Sequence, residues 1–328
     1  MDLTPPSLIN LRGPHAFARH RPGESFKLCG MTAARKDFPL TETVRIESDT
    51  LTVELSSLGA EMQSLTHKDG RSFLWSGDPA WWPGRSPILF PIVGKAPGDV
   101  VEISGQPFPM KQHGFARRSE FALVEAGQNV CRHRLGASDE TKASYPFDFT
   151  LELEHRLDRN RLTVTATVSN LGSSPMPYGI GFHPAFAWPL PGGESRPHRI
   201  MLDNGAEPPL HRLTDGLLSP ERHASPFSGG SLLLSHDQFA DDAMIFPEGA
   251  GTGLTYGVDG GPVLRFAFEN LPNLALWQKP GAPFLCIEPW HGMAAHADGT
   301  AELVERPFTV ALASGQDARY GFSVELPG

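Results

Sequence analysis

The chain has 328 residues, with 28 Lys and Arg against 37 Asp and Glu, for a formal net charge of −9. That balance argues against a nucleic-acid partner, because neutralising phosphates needs clustered Lys and Arg, and no run approaches the roughly 20 apolar residues that cross a bilayer. Three scattered cysteines, Cys29, Cys131 and Cys286, form neither a disulfide framework nor a CxxC zinc pair, so reduced thiols in a cytoplasmic protein are expected.

Residues 1–35 carry no periodic apolar pattern and no signal-peptide core, and are expected to be a disordered extension. Residues 36–328 read as one domain, since no low-complexity linker divides them and all-β domains often exceed 200 residues. Alternating runs begin at 44–55. In 149–157 Phe149, Leu151, Leu153, His155 and Leu157 share one face, and in 161–169 Leu162, Val164, Ala166 and Val168 do the same. Asp158-Arg159-Asn160 between them predicts a hairpin turn. Helical periodicity is confined to a short stretch around 138–144. The Gly- and Pro-rich zone 189–230 reads as a long surface excursion, and further strand-like runs follow at 263–268, 308–312 and 319–325. Gly (34) and Pro (31) are spread throughout, as suits many short strands joined by turns. The predicted fold class is all-β, a large antiparallel β-sandwich.

Three segments set a titratable residue among Gly, Phe and Pro. Glu288 lies in PFLCIEPWHG (283–292), where an ionised carboxylate is costly unless it has partners or a function; a structural salt bridge with Lys95 or Arg117 is the plainer alternative. His183 lies in GIGFHPAF (179–186), and Pro184 holds it in an extended conformation. His113 lies in KQHGFAR (111–117), where Gln112 and Arg117 add polar groups; alone, such a histidine is more often a turn residue bonded to backbone. Lys95 ends the apolar run PILFPIVG, Asp242 sits in FADDAMIF, and Trp277 in LALWQKPGAPF. Their bland readings are a solvated strand end, a turn residue and a core aromatic. Together they make a sugar-binding set, because charged groups bond hydroxyls and an indole covers the apolar face of a pyranose. Trp81-Trp82 could be surface, core or rim. Two histidines and a glutamate match zinc ligand types, but they come from separate segments without an HExxH-like motif, so no metal is expected.

The ordered succession SPILFPIVGK, QHGFAR, YPFDF, MPYGIGFHPAF, DDAMIF, LWQKPGAPF and CIEPWHG resembles the aldose 1-epimerase (mutarotase) family of the galactose-mutarotase-like superfamily, from about residue 42 to about 325. The resemblance implies a β-supersandwich. It places the family's catalytic base on Glu288, its acid on His183, its second active-site histidine on His113, and its substrate-binding aspartate on Asp242, with Asp241 adjacent. It sets Lys95 where the family has an arginine, which removes a planar two-point contact. The implied substrate is a free monosaccharide and the implied chemistry is ring opening. Glu288 would take the O1 proton while His183, as the imidazolium with Glu288 as counter-charge, protonates O5. No cofactor is implied. The alternatives are a hexose-6-phosphate 1-epimerase, needing a cationic phosphate pocket; a non-catalytic sugar-binding protein; and a glycoside hydrolase, which would need two carboxylates about the bond. The sequence assigns no oligomeric state.

Overall fold

Alternation of apolar and polar residues builds the central hairpin. The strands Phe149–Asp158 and Arg161–Asn170 pair in register across a two-residue turn, with Arg159 in the left-handed region at φ 51°. The expected inward faces are buried in both strands. The computed structural model describes residues 42–328; the extension expected at 1–35 lies outside them.

This hairpin is the middle of a nine-stranded antiparallel sheet that runs from Ser231–Leu233 at one edge to Ala122–Ala126 at the other. A second sheet of eight strands is antiparallel too. It runs from the edge strand Leu217–His223 through Leu210–Thr214, Met244–Phe246, Asn273–Trp277 and Phe284–His291 to Ile180–Phe182 and Ile88–Leu89. One continuous apolar core joins the two sheets. Phe182 meets Phe322 edge-on at 5.1 Å between ring centres, and Phe186 meets Phe266 in the same way at 5.0 Å. The expected short helix is a single turn, Asp139–Lys142, whose N-terminus is fixed by a capping box between Ser138 and Thr141. No helix among the described residues is long and apolar enough to cross a membrane.

Two expectations need correction. The run 44–55 is two strands, Thr43–Glu47 and Leu51–Ser56, because the Ser48 hydroxyl accepts bonds from the backbone N–H groups of Thr50 and Leu51 and turns the chain. The zone 189–230 is not a surface excursion. It supplies Arg199–Leu202 to the larger sheet and Leu210–Thr214 and Leu217–His223 to the smaller one. Its apolar residues Leu190, Ile200, Leu202, Leu210, Leu218 and Phe227 are buried. Strands of four to seven residues between Pro- and Gly-rich turns are too short to show a period, so tertiary pairing alone defines them.

The strand Phe284–His291 is inside the smaller sheet and buried on both faces. Leu285 and Ile287 face the common core, while Phe284, Cys286, Glu288 and Trp290 alternate onto the opposite side. Its neighbour runs through Ile180–Phe182 and Ala185–Ala187, with Gly181 opposite Trp290 and Ala185 opposite Cys286. The register is the same on either side of the gap, so His183 stands directly across from Glu288. The ladder is interrupted there because Pro184 and Pro289 each lack an N–H. What remains is one bond, from Ile287 N–H to the Pro184 carbonyl at 3.1 Å. Gly181 is needed at its position, since a Cβ there would lie 2.4 Å from the Trp290 ring.

His155, on the inward face of the central hairpin, is 3% exposed, and its Nδ1 has no partner. Burial, with His133 close by, pushes its pKa down to about 3. The folded protein therefore refuses a proton that the unfolded chain accepts near pH 6.5. Stability from this site is complete above that pH and falls as pH drops from 6.5 toward 3, by up to about 1.4 kcal/mol per pH unit. Urea unfolding at pH 7 and pH 5 should show His155→Leu losing roughly 2 kcal/mol less than the parent over that interval. An unchanged difference between the two pH values would contradict the neutral core histidine.

Candidate active site

Cross-strand pairing sets the centre of the site. His183 Nε2 and Glu288 Oε2 are 3.3 Å apart, with the residues 7% and 2% exposed. Burial raises the Glu288 pKa well above the carboxylate range, and the nearby Asp242 charge adds to this; Arg117 pulls the other way. Burial likewise drives His183 well below the ordinary imidazole value, with His113 and Arg117 contributing. Both shifts favour the neutral form, a protonated carboxyl beside a neutral imidazole, with one proton between them. That runs against the expected imidazolium with a carboxylate counter-charge, and burial is the largest cause in both groups.

The pair opens onto a cavity of about 420 Å³. His113, at φ 65° in the turn before Gly114, is fixed twice. Its backbone N–H donates to the Gly94 carbonyl, and the Gly94 N–H donates to His113 Nδ1 at 3.1 Å. With Nδ1 an acceptor, the ring carries its proton on Nε2, which lies beside Gln112 at 3.3 Å. Burial and the guanidinium groups of Arg117, Arg118 and Arg306 lower the His113 pKa to about 3, so the ring is a neutral N–H donor. Gly114 is required for the turn, because a Cβ would collide with the Phe90 carbonyl at 2.1 Å. Arg117 follows on the short 3-10 turn Ala116–Arg118 and reaches the cavity with no hydrogen-bond partner among the described residues.

Aromatic rings form one wall. Trp82 stacks on the His183 ring at 4.9 Å, and Trp277 stands edge-on to both. Trp82 is held in place by its carbonyl, which accepts from the Trp75 indole N–H. An indole face over an imidazole favours the protonated ring, opposing part of the burial effect. Trp290, two residues beyond Glu288, turns its indole toward the carboxyl, yet its Nε1 finds no partner at hydrogen-bonding geometry. Asp242, exposed and at φ 64°, lines the mouth, and its carbonyl is fixed by Arg212 at 2.8 Å.

Of the residues singled out in the sequence, Glu288, His183, His113, Gln112, Arg117, Asp242 and Trp277 all line this cavity. Lys95 does not. Its ammonium donates to the Asp215 carbonyl at 3.2 Å, and its stem packs on Gly216. The strand in the apolar run before it is only Ile88–Leu89, and Lys95 follows six residues later, just ahead of the 3-10 turn Pro97–Asp99, so the abrupt cation does not mark a strand end. The guanidinium groups in the cavity are those of Arg117 and Arg118. Sequence reasoning left Trp82 open between surface, core and rim, and the cavity wall is its place. It passed over two residues. Arg306 had no visible signal; it is buried and donates to the carbonyls of Val93, Lys95 and Met293, tying together two segments that carry cavity residues Gly94 and Ala294. Cys286 shares the Glu288 face, and its thiol, the His183 imidazole and the Glu288 carboxylate offer ligand atoms all within 4.8 Å of one another.

The family model for aldose 1-epimerase matches residues 42–223. The plasmid and chromosomal forms of protein LacX from Lactococcus lactis are 31% identical over 278 residues, covering 81% of this chain and 93% of theirs. A galactose mutarotase related enzyme from Lactobacillus acidophilus superposes with a TM-score of 0.83 at 28% identity, covering 88% of this chain and 98% of its own. A galactose mutarotase-like protein from Lactobacillus casei gives 0.81 at 26% identity, with 87% and 100% covered. With the buried carboxyl–imidazole pair and the two packed sheets, these matches show that the chain belongs to the aldose 1-epimerase family.

Proposed function

We propose that the protein interconverts the α and β anomers of a free aldohexose by acid/base ring opening. The observation that carries this reading is the pair His183 and Glu288, 3.3 Å apart and lining a cavity of about 420 Å³, large enough for a monosaccharide. The two oxygens that must exchange protons, O1 and O5, share one carbon, so an acid and a base held side by side suit them. When the sugar enters, the pair's proton moves to His183, and Glu288, made more acidic by Arg117, takes the O1 proton. His183 delivers its proton to O5 as the C1–O5 bond breaks and O1 becomes the aldehyde oxygen. Rotation about C1–C2 and the reverse transfers close the ring on the other face. The pair begins and ends with one proton, so no outside acid is consumed.

His113 presents its fixed Nε2–H to a ring or hydroxyl oxygen and steadies charge that develops there. Trp82 and Trp277 cover the apolar face of the ring, while Asp242, Gln112 and Arg117 hold hydroxyls so that C1 turns while the rest stays in place. None of these steps calls for a cofactor.

A phosphorylated aldohexose is a second reading, favoured by Arg117 and Arg118 lining the same cavity and weakened by the exclusion of Lys95. Guanidinium pairs bind phosphate in two-point fashion.

Polarimetry on freshly dissolved α-glucose and α-galactose should show Glu288→Gln losing about 10²–10⁴-fold in rate, with sugar binding still measurable by calorimetry. Wild-type rates in that variant would remove Glu288 from the chemistry. Comparing glucose with glucose 6-phosphate separates the two readings. For a free sugar, Arg118→Ala leaves the rate on glucose within about threefold and the phosphorylated sugar is no better a substrate. A preference for the phosphate that collapses in Arg118→Ala would establish the second reading.

A further inference from the structure

We propose that His183, Cys286 and Glu288 form a three-ligand site for a soft divalent cation of the Zn²⁺ class, and that the bound ion shuts off the proton pair. The mixed imidazole, thiolate and carboxylate set suits such an ion. The geometry starts close to what is needed. His183 Nε2 and Glu288 Oε2 are 3.3 Å apart, near the edge of about 3.4 Å that Zn–N and Zn–O bonds subtend in a tetrahedron. The Cys286 thiol lies within 4.8 Å of both and has to close to about 3.6 Å.

The fold holds this set in place. Cys286 and Glu288 are two residues apart on one face of a central strand, and His183 is opposite Glu288 on the next strand. All three are buried. His183 and Glu288 line the cavity, which leaves a fourth position for water or a hydroxyl. Charge balances as well. The ion brings two positive charges, while the thiolate and carboxylate supply two negative ones. Binding releases one proton from the thiol and one from the His183–Glu288 pair, leaving a neutral complex in a buried site, where uncompensated charge is costly. Cys286 is absent from the residues lining the cavity; its side chain packs with Trp75, Ala185, Ala282 and Phe284. The inhibitory part of the proposal rests on the anomer-interconversion reading, whereas the binding part stands without it.

Cd²⁺ titration of the full-length protein, followed by thiolate-to-metal charge-transfer absorbance, tests binding. One equivalent should develop the band in the parent and in Cys131→Ala. In Cys286→Ala and Cys286→Ser, both checked for folding by circular dichroism, affinity should fall roughly 100-fold or more. Zn²⁺ should stop mutarotation in the parent and chelation should restore it, while the Cys286 variants keep their basal rate and resist the metal. No band at one equivalent in the parent, or an undiminished band in both Cys286 variants, overturns the site. A band that depends on Cys286 in a protein without mutarotase activity would keep the metal site and reject the anomer-interconversion reading instead. Equal Zn²⁺ inhibition of the parent and the Cys286 variants would overturn the inhibitory role.

Discussion

The contact between Glu288 and His183 depends on strand register. A slip of one residue would send Glu288 into the common core and bring Ile287 to the cavity side. The register is pinned on both sides of the gap, by Gly181 against Trp290 and by Ala185 against Cys286. In the gap Pro184 lies opposite Ile287 and Pro289 opposite Phe182, and one ladder bond is left, from the Ile287 N–H to the Pro184 carbonyl. Loss of that regular pairing leaves the His183 and Glu288 side chains adjacent with little competing main-chain structure. Gly181 permits the arrangement, because any larger residue would push Trp290 off the strand.

Burial then decides the electrostatics. In water near neutral pH the carboxyl would be ionised and the imidazole partly protonated, but burial here favours the neutral form of each. Arg117 near the carboxyl and the Trp82 face over the imidazole both work against that preference. These two contacts set the balance of the pair against burial. His113 sits outside this balance. Its Nδ1 is committed to Gly94 and its pKa is far below neutrality, so it acts as a donor of fixed direction.

Residues outside the smaller sheet support these side chains. Arg306 fastens the backbone at 93–95 to that at 293, from opposite ends of the chain. Trp75 anchors the loop that carries Trp82. Neither residue has a chemical motif around it, and each matters because it fixes the path of a segment that does.

The sequence by itself determined the β class, the central hairpin and the polar residues lodged in apolar strands. A two-residue period and a buried carboxylate are local signals with a direct physical cost. It also carried the ordered motifs by which the family is recognisable. It could not show that 189–230 belongs to both sheets, since strands of a few residues are defined by the neighbours they bond to. Nor could it show that Lys95 turns away to Asp215 while Arg117 and Arg118 face the cavity, because a cation's direction follows from the backbone turn that bears it. The nearness of Cys286 to His183 and Glu288 was equally hidden. Alternation along one strand places two of these residues on a face, but only the pairing of 183 with 288, set by long-range register, brings in the third.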